Sequence, residues 1–363
     1  VGGNALKAIG PSRLSSSGVL HLFNRVEWVA NMLGYRVRLV PWVSDKVSHG
    51  DVDIIVTASS FAPEDMETLE RMLGVPGASA YKHVNGPVTS IAVPLNVRHT
   101  VEPQGQGPFY AQVDLIFTPQ PDFTSLYYSG GGLGMLIGRV AASNGYVFAS
   151  DGLRLRANSS EPWSRDITLT TDPREALEFL GYDPALGGSG FETEEDVWRF
   201  ALSGRVAKPW MFVSENTNAE NKNRDSKRKN FIRFQEWLQK TYSPDELAIP
   251  VGFDRDSSDW YYDRVGIATG VFQRDFMKLV VDQRVKHEET LAMHTVWGRS
   301  TVCEVLGDKA RDMTDSQIGE IIRVMQAYLP PKQQRVNIYQ YNPEVAKQFA
   351  ALAANLAIKH SKD

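Results

Sequence analysis

Three aspartates stand where strand propensity argues against them. In "SHGDVDIIV", residues 48–56, Asp51 and Asp53 open a run of β-branched residues. In "YAQVDLIFTP", Asp114 sits between Val113 and Leu115. Charged residues are poor strand formers, and a buried carboxylate is costly unless it is paired or bound to a cation. Side chains at i and i+2 of a strand share a face, so Asp51 and Asp53 should lie side by side, with Val52 and Ile54 turned the other way into a core. Two adjacent anions repel unless a cation lies between them. Hard divalent ions such as Mg²⁺ take oxygen ligands and keep positions open for water and phosphate, and Mn²⁺ is an alternative. If the Asp114 strand runs beside the first, three carboxylates converge. Two of them can bridge two ions, and the third completes a site that activates an attacking hydroxyl, the arrangement used for in-line displacement at phosphorus. A DxD alone is more often a turn; the second acid, on another strand, is what turns the reading toward catalysis.

Such chemistry needs groups that hold phosphate, and two stretches offer them. "VGGNALK" has Gly2 and Gly3 for a tight turn whose N–H groups can face an anion, with Lys7 close by. "VSDKVSHGD" has Ser44, Lys46 and Ser48 just before the acids. Lys46 or Lys7 can neutralise phosphate charge, and both assignments stay open. "YYSGGGLGMLIGR", residues 127–139, lacks the lysine and the strand–loop–helix context of a phosphate loop. It reads as a helix start or a loop lining the nucleotide pocket, with Tyr127 and Tyr128 as packing residues rather than base-stacking ones. "KNRDSKRKNFIRF" carries Lys222, Arg224, Lys227, Arg228, Lys229 and Arg233, with Phe231 and Phe234 interleaved. Clusters of this kind can track a nucleic-acid backbone, although a charge run is commonly a solvated loop before a helix. His49 abuts Asp51, His287 and His294 lack metal-ligand company, and Cys303 reads as core.

The elements that must position these residues are legible from periodicity. "SSSGVLHLFNRVEWVANMLG" repeats apolar residues at helical spacing, with serines to cap it and Gly34 to stop it. "YRVRLVPW" and "GDVDIIVTA" follow as strands. "APEDMETLERMLG" is a helix with Pro63 near its start and Gly74 at its end. "VTSIAVPL" and "FYAQVDLIFTP" are strands, "LGMLIGRVAASNG" a helix and "YVFASDGLRLR" a strand or hairpin. Beyond residue 155 helices dominate. One starts at Asp172-Pro173, one at Thr193, and others occupy "FIRFQEWLQK" and "TDSQIGEIIRVMQAYLPP". The expected organisation is α/β (α+β), a small mixed-sheet domain over residues 1–155. A mostly helical accessory or substrate domain follows over 156–363, with a basic polar loop at 214–230.

Bulk properties set few further limits. The chain has 363 residues, 42% hydrophobic and 23% charged, with a net charge of −4, so any basic surface must be local. A single cysteine excludes an intramolecular disulfide and suits a reducing compartment. There is no apolar run of membrane-spanning length and no signal-peptide pattern, so a soluble cytoplasmic protein without a membrane partner is expected. The chain opens on Val1 rather than methionine, so further residues can precede it.

Together, the glycine pair in "VGGNALK", the alternating acids of "GDVDIIV" and the lone acid of "QVDLIF" resemble the DNA polymerase β-like nucleotidyltransferase superfamily. More narrowly, "GGNAL", "DGLRLR", "TTDPREALEFLGYDP" and "IGEIIRVMQ" are similar to nucleotidyltransferases encoded by large bacterial viruses, which would place the protein in a host cytoplasm. The stronger resemblance covers residues 1–155 and the weaker one extends to about 330. It implies a short mixed sheet with helices on one side and the three acids on its rim. It also implies two Mg²⁺ ions held by Asp51 and Asp53, with Asp114 on the catalytic ion and helping to deprotonate the acceptor. The reaction implied is transfer of a nucleotide from an NTP such as ATP to a hydroxyl, with pyrophosphate release; an RNA end of tRNA type is one acceptor. One departure is the long gap between Gly2-Gly3 and Asp51, where the family keeps its glycine turn close to the acids. Two alternatives are a non-catalytic member that binds nucleic acid or a protein partner, and a toxin-like enzyme that nucleotidylates protein.

Overall fold

The computed structural model describes residues 5–101, 109–159, 161–162, 164–188, 190–216, 222–223, 225–250, 258–296 and 298–327, with seven more between 346 and 354. Ser15 caps the first helix, its side chain accepting the Gly18 amide, and Ser16–Met32 (α1) runs until Gly34 adopts φ +83°. Val19, Leu22, Val26 and Val29 line one buried stripe of it. A second helix, Pro63–Leu73 (α2), starts on proline, carries Glu64 and Asp65 in its first turn and ends at left-handed Gly74. Both helices pack on the same side of a sheet.

That sheet has five strands in the order β1-β2-β5-β4-β3: Val37–Leu39 (β1), Val52–Thr57 (β2), Lys82–Asn85 (β3), Val88–Leu95 (β4) and Phe109–Thr118 (β5). The central pair β2–β5 is parallel, and the other neighbours are antiparallel. Alternation along the strands gives the sheet two apolar faces. Val52, Ile54 and Val56 of β2, with Val113, Leu115 and Phe117 of β5, join the buried residues of α1 and α2 in one core. Ile55 and Ile116 face the other way and meet Val40, Val88 and Tyr128. Asp53 and Asp114 belong to this second face, one pleat along from the two isoleucines.

The second face leads into the rest of the unit. Pro121–Tyr128 (α3) and Leu133–Ser143 (α4) are joined through Ser129–Gly132, where Gly130 takes φ +59° and a Cβ would lie 2.7 Å from Val197. A second sheet follows, Tyr146–Ala149 (β6), Gly152–Leu155 (β7) and Ile167–Thr170 (β8), all antiparallel. Asp172 caps Pro173–Phe179 (α5), and a capping box between Thr193 and Asp196 starts Glu194–Ser203 (α7), after the short Pro184–Gly188 (α6). Lys229–Thr241 (α8) buries Phe231, Phe234 and Leu238.

By compactness the chain divides elsewhere than after residue 155. One unit comprises Val1–Arg156 and Asp166–Phe272, the other Ala157–Arg165 and Gln273–Asp363. The reason is packing: Arg139 of α4 lies over the Phe231 ring of α8 at 4.5 Å and pairs with buried Asp225, while Phe272 packs on Phe179. The Arg139 contacts, with Tyr146 of β6 packed on Phe179, tie helices beyond residue 155 to elements before it. The second unit is helical, with Phe276–Val296, Arg299–Leu306 and Asp315–Ala327; its core contains Val302, Ile318, Ile321 and four alanines between 346 and 354. No helix among the described residues is long and apolar enough to cross a membrane.

Candidate metal centre

Parallel pairing of β2 and β5 places Asp53 directly opposite Asp114, and on the far side of β5 Ser90 of β4 is opposite Asp114. Asp51 precedes the strand by one residue and falls on the same face as Asp53. The three carboxylates each offer an oxygen within 4.8 Å of the others; Asp114 is buried and the other two are partly so. Val52 and Ile54 anchor the strand from behind, as their alternation predicts.

The electrostatics follow from this crowding. Burial pushes the Asp53 carboxyl from 3.8 up to about 7, and the neighbouring charges of Asp51 and Asp114 push the same way, while Lys46 opposes them. Asp114 is also raised, chiefly by burial, against the hydrogen bonds it accepts from Ser90 and Gln112. An all-oxygen donor set, anionic and drawn together in a partly dehydrated place, fits a hard divalent cation of the Mg²⁺ type. Asp51, Asp53 and Asp114 are the residues that would hold it.

Around the carboxylates lie groups from two distant stretches. The loop before β2 is fixed by His49, which is 2% exposed, exchanges backbone hydrogen bonds with Leu14 and meets Ser16 Oγ through Nε2 at 3.2 Å. Burial lowers the pKa of His49 to about 4, with Lys46 as the next cause, so at neutral pH it is an uncharged packing residue against Trp42. Ser16 also donates to the Lys46 carbonyl at 3.1 Å. Arg13, which sequence reasoning passed over, donates from Nε to Ser48 Oγ at 2.6 Å and from Nη2 to the Ser48 carbonyl at 3.0 Å. Lys46 and Ser48 thus lie on the loop that enters β2, and Arg13, from the segment before α1, is bonded to it. Ser44 is exposed, and its amide donates to the Phe191 carbonyl at 3.0 Å.

The N-terminal segment also reaches this neighbourhood. Leu6 is buried, and its N–H donates to Gln112 Oε1 at 3.4 Å; Gln112 Nε2 in turn donates to Asp114 Oδ1 at 2.9 Å. Lys7, next along, is exposed. Gly2 and Gly3 lie outside the described residues.

The members of the basic cluster differ in their engagement. Arg233 is engaged by Glu194 through two hydrogen bonds of 2.9 and 2.6 Å. Phe231 and Phe234 are core residues rather than stacking platforms. Lys222, Lys227, Arg228 and Lys229 are exposed, and Arg224 lies outside the described residues. Arg228 contacts Met135 Sδ and exerts its charge on Tyr128. Tyr128 has its hydroxyl pushed up to about 12, first by burial and then by the charges of Tyr127, Asp53 and Asp114. Its ring packs edge-on against Tyr127 and over Ile55 and Ile116, the packing role expected for this pair. A cavity of about 620 Å³ lies in the same unit, walled by Pro41, Trp42, Leu126, Leu177 and Phe191, and none of the three aspartates lines it.

No protein-family model matches the sequence, and neither does any curated protein. Among solved structures the chain is similar to Leishmania infantum polymerase beta in a ternary gap complex, at 15% identity and a TM-score of 0.33. The match covers 43% of this chain and spans 55% of that one, little more than half its length.

Proposed function

We propose that the protein is a divalent-metal-dependent nucleotidyltransferase that moves a nucleotide from an NTP to a hydroxyl acceptor. One observation carries the reading: three carboxylates from two adjacent parallel strands bring ligand oxygens within 4.8 Å of one another on a partly buried face. Bound there, Mg²⁺ would neutralise charge on the phosphates and lower the cost of forming the attacking alkoxide. The chain's own residues have complementary tasks. Asp51 and Asp53 hold the cation site. Asp114, made more basic by burial, takes the proton from the acceptor hydroxyl. The acceptor oxygen then bonds to the α-phosphorus, the bond from that phosphorus to the bridging oxygen breaks, and pyrophosphate leaves with the electron pair. Lys46 and Arg13 flank the entry to β2 and suit the triphosphate, with Ser48 held by Arg13, and exposed Lys7 follows the Leu6 amide that Gln112 holds.

RNA is the acceptor favoured here. Its support is the exposed group Lys222, Lys227, Arg228 and Lys229, one member of which acts electrostatically on Tyr128 beside the carboxylates. A bacterial-virus origin and a host-cytoplasm location belong to the same reading through the sequence resemblance. The test is incubation with labelled NTPs, Mg²⁺ and separate RNA, DNA and protein fractions. Label in RNA, abolished in D53N, supports the proposal. Label in protein moves the acceptor, and transfer that survives in D53N overturns the mechanism.

A further inference from the structure

The side chain of Gln112 stands at a junction that the nucleotidyl-transfer reading leaves without a role. It lies two residues before Asp114 on β5, on the same face, and is 1% exposed. A buried primary amide loses its hydrogen bonds to water, and retaining it in a strand of otherwise apolar neighbours is unfavourable unless both ends are satisfied. Both ends are. Oε1 accepts the Leu6 amide 106 positions away in the chain, and Nε2 donates to Asp114 Oδ1. The opposed requirements of donor and acceptor fix which way round the amide sits.

We infer that Gln112 is a positioning residue that clamps the N-terminal segment to the metal-holding carboxylate. Through Nε2 it donates to Oδ1 of Asp114, which orients the carboxylate within the cation site. Ser90, buried opposite Asp114, holds the same carboxylate from the neighbouring strand. Through Oε1, Gln112 accepts the Leu6 amide and so sets where Lys7 begins. The inference rests on the nucleotidyltransferase reading for what the clamp serves, but not for the clamp itself. Outer partners that orient a metal ligand characteristically change metal affinity or activity by about 10–100-fold when removed.

The experiment uses the full chain and Gln112→Met, which keeps length and bulk but removes both hydrogen bonds. Two readouts are taken: the Mg²⁺ concentration giving half of the metal-induced rise in unfolding temperature, and hydrogen exchange at the Leu6 amide in the absence of metal. The expected result is a half-point raised about 10-fold or more, together with loss of protection at Leu6. A merely structural role would lower the unfolding temperature while leaving the Mg²⁺ half-point within about twofold of wild type, and that result overturns the inference. Should the variant fail to fold, the wild type alone decides: a Leu6 amide exchanging as fast as an unstructured one removes the clamp. If the wild type shows neither Mg²⁺ response nor nucleotide transfer, the proposed function falls. In that case Leu6 protection, present in wild type and absent in Gln112→Met, still decides the clamp.

Discussion

Asp53→Asn probes the carboxylate cluster without needing a substrate. Asp53 is held against Asp51 and Asp114 where burial and like charge raise its carboxyl from 3.8 to about 7. A carboxyl whose pKa rises on folding binds its proton more tightly in the native state than in the unfolded chain. Stability of the metal-free protein therefore falls as pH rises from about 4 to about 7 and stays low above that. At full weight the displacement corresponds to about 4 kcal/mol, and because Asp53 is partly exposed, screening leaves about 2 kcal/mol. In EDTA at pH 8 the D53N variant should unfold about 4–8 °C above wild type, at roughly 2–4 °C per kcal/mol for a unit of this size. Near pH 4 the difference should shrink, because the wild-type carboxyl is then protonated. Excess Mg²⁺ should reverse the order, since wild type gains binding energy in its native state and the variant has lost a ligand. Scanning calorimetry over this pH range, with EDTA and with Mg²⁺, reads all three effects. A D53N variant less stable than wild type in EDTA at pH 8 would refute the reasoning, as would an equal response of both proteins to Mg²⁺.

Lys46→Ala should raise the KM for NTP about tenfold with little change in unfolding temperature, because the side chain offers charge to the site rather than packing; steady-state kinetics with an unchanged KM would remove Lys46 from the phosphate site. Arg139→Ala should cost about 3–5 kcal/mol in urea denaturation, since it removes the guanidinium paired with the buried Asp225 carboxylate and uncovers the Phe231 ring. Within the basic cluster the residues should separate. Arg233→Ala, which breaks only an exposed pair with Glu194, should cost at most about 1 kcal/mol and leave RNA binding unaltered. The double change Lys227→Glu and Lys229→Glu should weaken RNA binding and flatten its salt dependence, measured by fluorescence anisotropy across a salt series.

Elements whose pattern is local were legible in the chain. β4 has the bounds read from "VTSIAVPL", and α1 and α2 begin and end at the residues named for capping and stopping them. β1 keeps only Val37–Leu39 of the eight-residue run: the Val40 amide still donates to the Asp53 carbonyl at 3.0 Å, and Pro41, with no N–H, cannot extend the ladder. β3 was not read at all: "KHVN" is polar and mostly exposed on a sheet edge, where neighbours rather than burial decide strand formation. The helices Ser258–Phe272 and Phe276–Val296 escaped for a related reason. Ile267, Val271, Leu279, Val281, Val285 and Leu291 are all exposed, so the apolar residues mark no single stripe. The three aspartates could be singled out because each contradicts its own surroundings. Arg13 and Gln112 could not, since each is ordinary where it stands and acquires meaning only from a partner 35 or 106 positions away.

The parallel pairing of Asp53 with Asp114 bears on how the chain finds its fold. Side chains alternate with a period of two, so a one-residue slip of β2 against β5 would send these carboxylates to opposite faces. One of them would then be driven among Val19, Leu22, Ile91 and Val93 with nothing to neutralise it. Mispairing is thereby penalised by the residues proposed for chemistry, which proofread the strand alignment across the stretch that separates the two strands. A chain carrying Asp53→Val and Asp114→Val should lose that check. It would gain apolar surface on the second face, leaving the strand pair apolar on both, and refold with mixed alignments, visible as several conformers where wild type has one.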